Sequence, residues 1–179
     1  MLFRSMKLYL VRHGETDWNL QHRMQGQVDV PLNSTGIAQA EKLKETLKNY
    51  DFDICYCSPL KRAVKTAEIA TNGRVKIIFD DNLKERSYGE LEGKHSVDDF
   101  NQDINASQDG MEPIRNLLAR AQKVLDRLKT ENPPDATVLV VGHGTMFKAL
   151  HFVIVGYDDN TDFSSFEIIK NGAIDEYEI

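Results

Sequence analysis

The run KLYLVRHG, residues 7–14, sets four apolar side chains in succession against a guanidinium and an imidazole, with a glycine behind them. A strand with one wet face alternates apolar and polar residues. This one does not, so it reads as a strand from Lys7 to Arg12 covered on both faces. A buried strand that ends on Arg12, His13 and Gly14 delivers polar groups to the rim of a sheet, where a ligand can reach them.

Outward from that strand the pattern repeats. A polar stretch of about twenty residues, His13 to Leu32, carries Gly14, Gly26 and Pro31, and a loop of that length in a compact fold is usually functional. Ile37, Ala40, Leu43, Leu47 and Tyr50 recur at helical spacing behind Asn33, a candidate N-cap. Asp53–Ser58 reads as a second strand, PLKRAVKTAEIATNG from Pro59 as a helix stopping at Gly73, and Val75–Phe79 as a third strand. Residues 80–110 are polar and irregular, with a weak helix at Val97–Ile104. Asp109–Thr130 is the clearest amphipathic helix, Glu112 closing a capping box with Asp109. Thr137–Val141 is a further buried strand, followed by a helix over Thr145–Val155. Ser165–Lys170 and Ala173–Tyr177, joined by Asn171-Gly172, read as an antiparallel hairpin. Strands alternating with helices predict an α/β three-layer sandwich, with a mostly parallel central sheet, helices on both faces and a C-terminal antiparallel hairpin. Residues 1–179 are read as a single domain.

The 41% apolar and 28% charged residues are ordinary for a globular chain, and no apolar stretch reaches the roughly 18 residues a membrane helix needs. MLFRSMKLYL lacks a long apolar region and cleavage site, which argues against secretion and makes Met6 a candidate start. A net charge of −6 argues against a nucleic-acid partner but leaves room for a small phosphorylated metabolite held by a few cations in a cleft. Cys55 and Cys57 are expected on opposite faces of their strand, unable to form a disulfide, which fits a cytoplasmic location. Residues 173–179 form an exposed edge that could pair two copies in a homodimer.

In parallel α/β sheets ligands bind beyond the carboxyl ends of the strands. Arg12 and His13 follow the first strand, Ser58 and then Arg62 the second, and Gly142, His143 and Gly144 the Thr137 strand. Taken singly, Gly-His-Gly reads as a turn and Arg62 as a solvated helix residue. Converging on one rim, they offer an imidazole nucleophile and two guanidinium forks that match phosphoryl oxygens. A carboxylic acid in the 80–93 loop could protonate the leaving oxygen.

These residues carry a resemblance. R-H-G-E-T-x-x-N at 12–19, S-P-L-x-R-A-x-x-T-A at 58–67, E-R-x-Y-G-x-L-E-G at 85–93 and V-G-H-G at 141–144 resemble the histidine phosphatase superfamily, also called phosphoglycerate mutase-like, in order and over most of the chain. The resemblance implies His13 as a nucleophile forming a phosphohistidine, with Arg12, Arg62 and His143 binding the phosphoryl group. It implies Glu85 as the general acid and base, and substrate contacts from Asn19, Thr16, Gly144 and Tyr88. It implies no metal and no cofactor.

Other phosphatase chemistries lack their residues. A cysteine phosphatase needs an arginine six positions after its cysteine, where Lys61 and Ala63 stand instead, and there is no Walker loop. Between hydrolysis and mutase-type transfer, the stretch from Ser96 to Gln108 contains no Lys or Arg, which offers little help to a second anionic end of a substrate. Arg86 and Tyr88 do match mutase positions. The favoured reading is a phosphatase acting on small phosphomonoesters. A non-catalytic phospholigand binder would be signalled by loss of Arg12, His13 or Glu85, and all three are present.

Overall fold

The computed structural model describes residues 5–95 and 110–179. Strand β1 (Lys7–Arg12) lies between β4 (Thr137–Gly142) and β5 (Ile174–Glu178) in a sheet of order β3-β2-β4-β1-β5, with β2 at Ile54–Cys57 and β3 at Ile77–Phe79. β1–β4, β4–β2 and β2–β3 pair in parallel, and β5 runs antiparallel to β1. Alternation sorts the side chains into two cores. Leu8, Leu10, Tyr56, Val138 and Val140 face α4 (Ile114–Glu131) and α5 (Gly144–Val155), while Tyr9, Val11, Leu139 and Val141 face α2 (Ser34–Leu47) and α3 (Lys61–Thr71). The three-layer expectation holds. Among the described residues no helix is long and apolar enough to cross a membrane.

Several expectations need correction. The C-terminal element is no hairpin. Ser165–Lys170 forms no strand; a 3₁₀ turn occupies Phe163–Ser165, and the Ile169 carbonyl accepts from Arg12 Nη1 at 2.8 Å. The turn at Gly172 (φ 70°) feeds β5 directly onto β1, with the Gly172 N–H donating to Arg12 O at 3.1 Å. Cys55 and Cys57 share one face, because a pleat returns to the same side every second residue. Both are free, buried thiols in the core beneath α2 and α3, and burial raises both pKa values. The long helix begins at Ile114 behind Pro113, so Glu112 is no capping-box partner there; Asp109, the helix expected at Val97–Ile104 and residues 1–4 ahead of the candidate start at Met6 lie outside the described residues. α3 begins at Lys61 rather than Pro59 and stops where Asn72 turns left-handed (φ 49°).

The chain leaves β1 towards the α2 face and leaves the adjacent β4 towards the α5 face. That divergence opens a crevice at the carboxyl end of the sheet. The floor of the crevice depends on a backbone crossing. A Cβ on Gly14 would run into Gly36 O in the first turn of α2, and one on Gly36 would run into Glu15 O. The Gly14 N–H donates to Thr66 Oγ1 of α3 at 3.0 Å, and Asn33 caps α2 by accepting from Gly36 N at 2.9 Å.

Gly36→Ala gains roughly 1 kcal/mol in helix propensity but forces α2 away from the residues after His13. The net result is a loss of about 1–3 kcal/mol, read as a lower urea midpoint.

Candidate active site

Register brings the two motif histidines together. Arg12 stands opposite Gly142, and the His13 N–H continues the ladder to Gly142 O at 3.0 Å. The rings of His13 and His143 then lie 5.1 Å apart between centroids, tilted by 58°. Just past β2, the Ser58 N–H reaches Val141 O at 3.0 Å, and the first turn of α3 aims Arg62 at the same place. Arg12, His13, Arg62 and Glu85 all line one cavity of about 360 Å³.

His13 is buried, and its Nδ1 lies 2.6 Å from Gly14 O. A carbonyl only accepts, so Nδ1 carries the proton and Nε2 keeps its lone pair. Arg62 Nε donates to that Nε2 at 3.3 Å. Burial, then Arg62 and Arg12, hold the imidazole well below its ordinary pKa of 6.5 and so neutral. Asn171 Nδ2 donates to His13 O at 3.0 Å, pinning the backbone from the other side.

Arg62 is fully buried and donates to Val28 O at 2.8 Å and Gly26 O at 2.7 Å; burial brings its pKa down to about 10. Arg12 Nε is buried without a partner among the described residues, and Gly144 leaves room for its guanidinium, which a Cβ there would crowd. His143 is fully buried, with Nε2 at 2.7 Å from Ser58 Oγ and Nδ1 without a partner among the described residues. Burial and the neighbouring Arg62 push its pKa well down too.

Glu85 enters from the irregular loop onto the amino end of α5. Its carboxylate accepts from Thr145 N and Met146 N, both at 3.0 Å, and from Arg86 N at 2.8 Å. Helix amino termini favour such groups. Arg120 of α4 fastens the loop, donating to Asn82 O, Lys84 O and Glu85 O while paired with Glu112 at 2.6 Å. Glu112 therefore acts through Arg120 and Ser87 N, a structural role other than the cap expected of it.

Among the other expected residues, Asn19, Gly144 and Tyr88 line the cavity. Tyr88 OH meets Thr145 Oγ1 at 2.8 Å. Thr16 does not reach the wall. It caps α1 (Asp17–Leu20), accepting from Asn19 N at 3.1 Å, and its hydroxyl meets Gln25 Oε1 at 2.8 Å. The resemblance implies contact with the ligand, but capping takes the hydroxyl. His22, unassigned by pattern, does line the cavity, as do Trp18, Arg23 and Lys148. Only Lys148 left a trace in the sequence: it stands one helical turn after Gly144, on the same face of α5.

Comparison with known proteins identifies the family. The model of the histidine phosphatase superfamily (branch 1) matches residues 8–179. The uncharacterized phosphatase PhoE of Bacillus subtilis is 41% identical over 83% of this chain and 77% of its own. A 2,3-bisphosphoglycerate-dependent phosphoglycerate mutase of Cytophaga hutchinsonii is 33% identical over 80% of this chain and 74% of its own. Among solved structures, a mycobacterial glucosyl-3-phosphoglycerate phosphatase superposes with a TM-score of 0.86 at 25% identity, covering 97% of this chain and 90% of that one.

The two neutral imidazoles give a stability prediction. In the unfolded chain each takes a proton near its ordinary pKa of 6.5, which the folded state refuses. The unfolded state then binds more protons, so stability falls as pH drops below that value, each histidine adding a slope approaching ~1.4 kcal/mol per pH unit. Urea unfolding between pH 5 and 8 should show a shallower slope for His143→Asn than for the natural protein. Equal slopes would mean that His143 is not held neutral.

Proposed function

The chain belongs to the histidine phosphatase superfamily, and from that we propose a metal-independent phosphatase that hydrolyses small phosphomonoesters through a phosphohistidine on His13. The observation that carries the reading is the fixed, neutral ring of His13, its Nε2 lone pair beside Arg62. Nε2 attacks phosphorus in line, and the bond to the leaving oxygen breaks as Glu85 supplies a proton. Arg12, Arg62 and His143 carry the charge that builds on the equatorial oxygens. Glu85 then takes a proton from the water that attacks the phosphohistidine, releasing inorganic phosphate and restoring His13.

Ser58 has a positioning role in this scheme. Its Oγ accepts from Leu60 N at 3.3 Å and lies 2.7 Å from His143 Nε2, its one other partner among the described residues, so we assign its own proton to that nitrogen. That leaves the ring proton of His143 on Nδ1, the atom without a partner among the described residues, to donate to a phosphoryl oxygen.

We place the reaction in the cytoplasm, on a single domain, with a small phosphorylated metabolite as partner rather than nucleic acid; a second copy could pair along β5. Mutase-type transfer is the second reading, favoured by Arg86 and Tyr88, which match mutase positions and line the cavity.

With 4-nitrophenyl phosphate, His13→Ala should lose both phosphate release and the acid-labile phosphoprotein trapped by rapid quench. An unaltered rate in that variant sinks the reading. Glu85→Gln should lower kcat by about 10²–10⁴-fold. Ser58→Ala should lower kcat by about tenfold with little change in KM, and Ser58→Thr should restore it. Isomerised phosphoglycerate without net free phosphate would select the mutase.

A further inference from the structure

A second cavity, of about 140 Å³, lies at the other end of the sheet, beside the last turns of α2 and α3. Its lining comes from the chain just ahead of β2 and β3 and from Leu139 of β4, whereas Arg12, His13 and His143 stand at the carboxyl ends of their strands. Leu47, Phe52, Val75 and Leu139 supply apolar walls. Tyr50 joins Phe52 there as a nearly parallel pair of rings, 12° apart in plane.

Two polar side chains of the lining decide what it can hold. Thr71 is 2% exposed, and its Oγ1 has no partner among the described residues. Thr46, Thr66 and Thr130, also within helices, each donate to the carbonyl four residues earlier; Thr71 does not. A buried hydroxyl in that state costs stability unless something in the cavity answers it. Arg74 donates through Nε to Thr71 O at 3.2 Å and through Nη1 to Leu47 O at 3.4 Å, so its charge is engaged by the carboxyl ends of both helices. Each such end carries roughly half a negative charge, and the pair offsets one guanidinium. Asp51 adds a carboxylate to the lining. No positive charge is left there to favour an anion.

Size narrows the occupant further. An apolar cavity of about 150 Å³ holds one benzene. This one is nearly as large and has a hydroxyl without a partner in its lining. We propose that it binds a small neutral phenol, a single aromatic ring with one hydroxyl. The ring packs against Phe52 and Tyr50 in the offset or edge-on arrangement aromatic pairs prefer, and its hydroxyl bonds to Thr71 Oγ1. The proposal does not depend on the phosphatase reading, because no residue is shared with the cavity that holds His13.

Phenol itself is the probe, titrated into the full chain and followed by amide chemical shifts and calorimetry. Saturable shifts centred on Thr71, Val75 and Leu139 are expected, with a Kd of about 1 mM or tighter. His13→Ala should bind phenol as the natural protein does. Thr71→Val keeps the side chain's shape and removes the hydroxyl. It should weaken phenol about five- to tenfold, as loss of one hydrogen bond does, and leave the binding of benzene unchanged. Its urea midpoint should be no lower than that of the natural protein, which separates a lost contact from a damaged fold. Benzoate should bind about tenfold or more weakly than phenol, because a carboxylate would enter without a cation to meet it. Four results would each overturn the site: no saturation below about 20 mM phenol, shifts confined to the residues around His13, benzoate binding as tightly as phenol, or Thr71→Val with phenol affinity unchanged or a lowered urea midpoint.

Discussion

Everything at this site depends on one backbone pairing, that of β1 with β4. In parallel register Arg12 meets Gly142, and the next peptide, His13 N–H to Gly142 O, holds the two histidine rings 5.1 Å apart. A slip of one residue in β1 would turn His13 to the opposite face of the sheet, and one in β4 would do the same to His143. The unbroken apolar runs Leu8–Val11 and Val138–Val141 prevent it, since both cores are filled by alternate side chains of the same two strands. Hydrophobic packing far from any ligand thus sets the geometry of the imidazoles.

The cost falls on polar groups. Two imidazoles, Arg62 and most of Arg12 lie out of water, and two of their nitrogens, Arg12 Nε and His143 Nδ1, have no partner among the described residues. Elsewhere in the fold such atoms would be destabilising. Here the surrounding backbone supplies compensation selectively: carbonyls of Gly26, Val28 and Ile169 hold the arginines, and that of Gly14 holds His13. What remains unanswered faces the place where an anion would sit. The site is organised before any ligand arrives, so little reorganisation is left to do on binding.

The sequence reveals these features unevenly. β1, Asn33 as a cap and the convergence of Arg12, His13, Arg62, Glu85 and His143 follow from periodicity, strand-end placement and four spaced motifs. Arg120, which clamps the Glu85 loop, looks like any charged residue on the wet side of an amphipathic helix. Its function depends on which carbonyls the loop turns towards it. Thr16 looks like a ligand contact and is a cap. The expected hairpin fails because alternation in Ser165–Lys170 signals a strand, whereas β1 supplies the only ladder that β5 needs. Local pattern identifies groups that chemistry requires; it is silent on those that hold a loop in place.

The order of strands also bears on how the protein acquires its shape. β1 is the first strand synthesised, yet both of its neighbours, β4 and β5, come from the far end of the sequence: Lys7 pairs with Thr137 and with Glu178. Closing loops of that length precedes any reward from the contacts they allow, which slows folding. A chain emerging from the ribosome would keep KLYLVR without its ladder until β4 arrives. The first moment at which His13 and His143 can meet is therefore also the moment at which the central sheet closes. A partly folded chain cannot possess half of this active site.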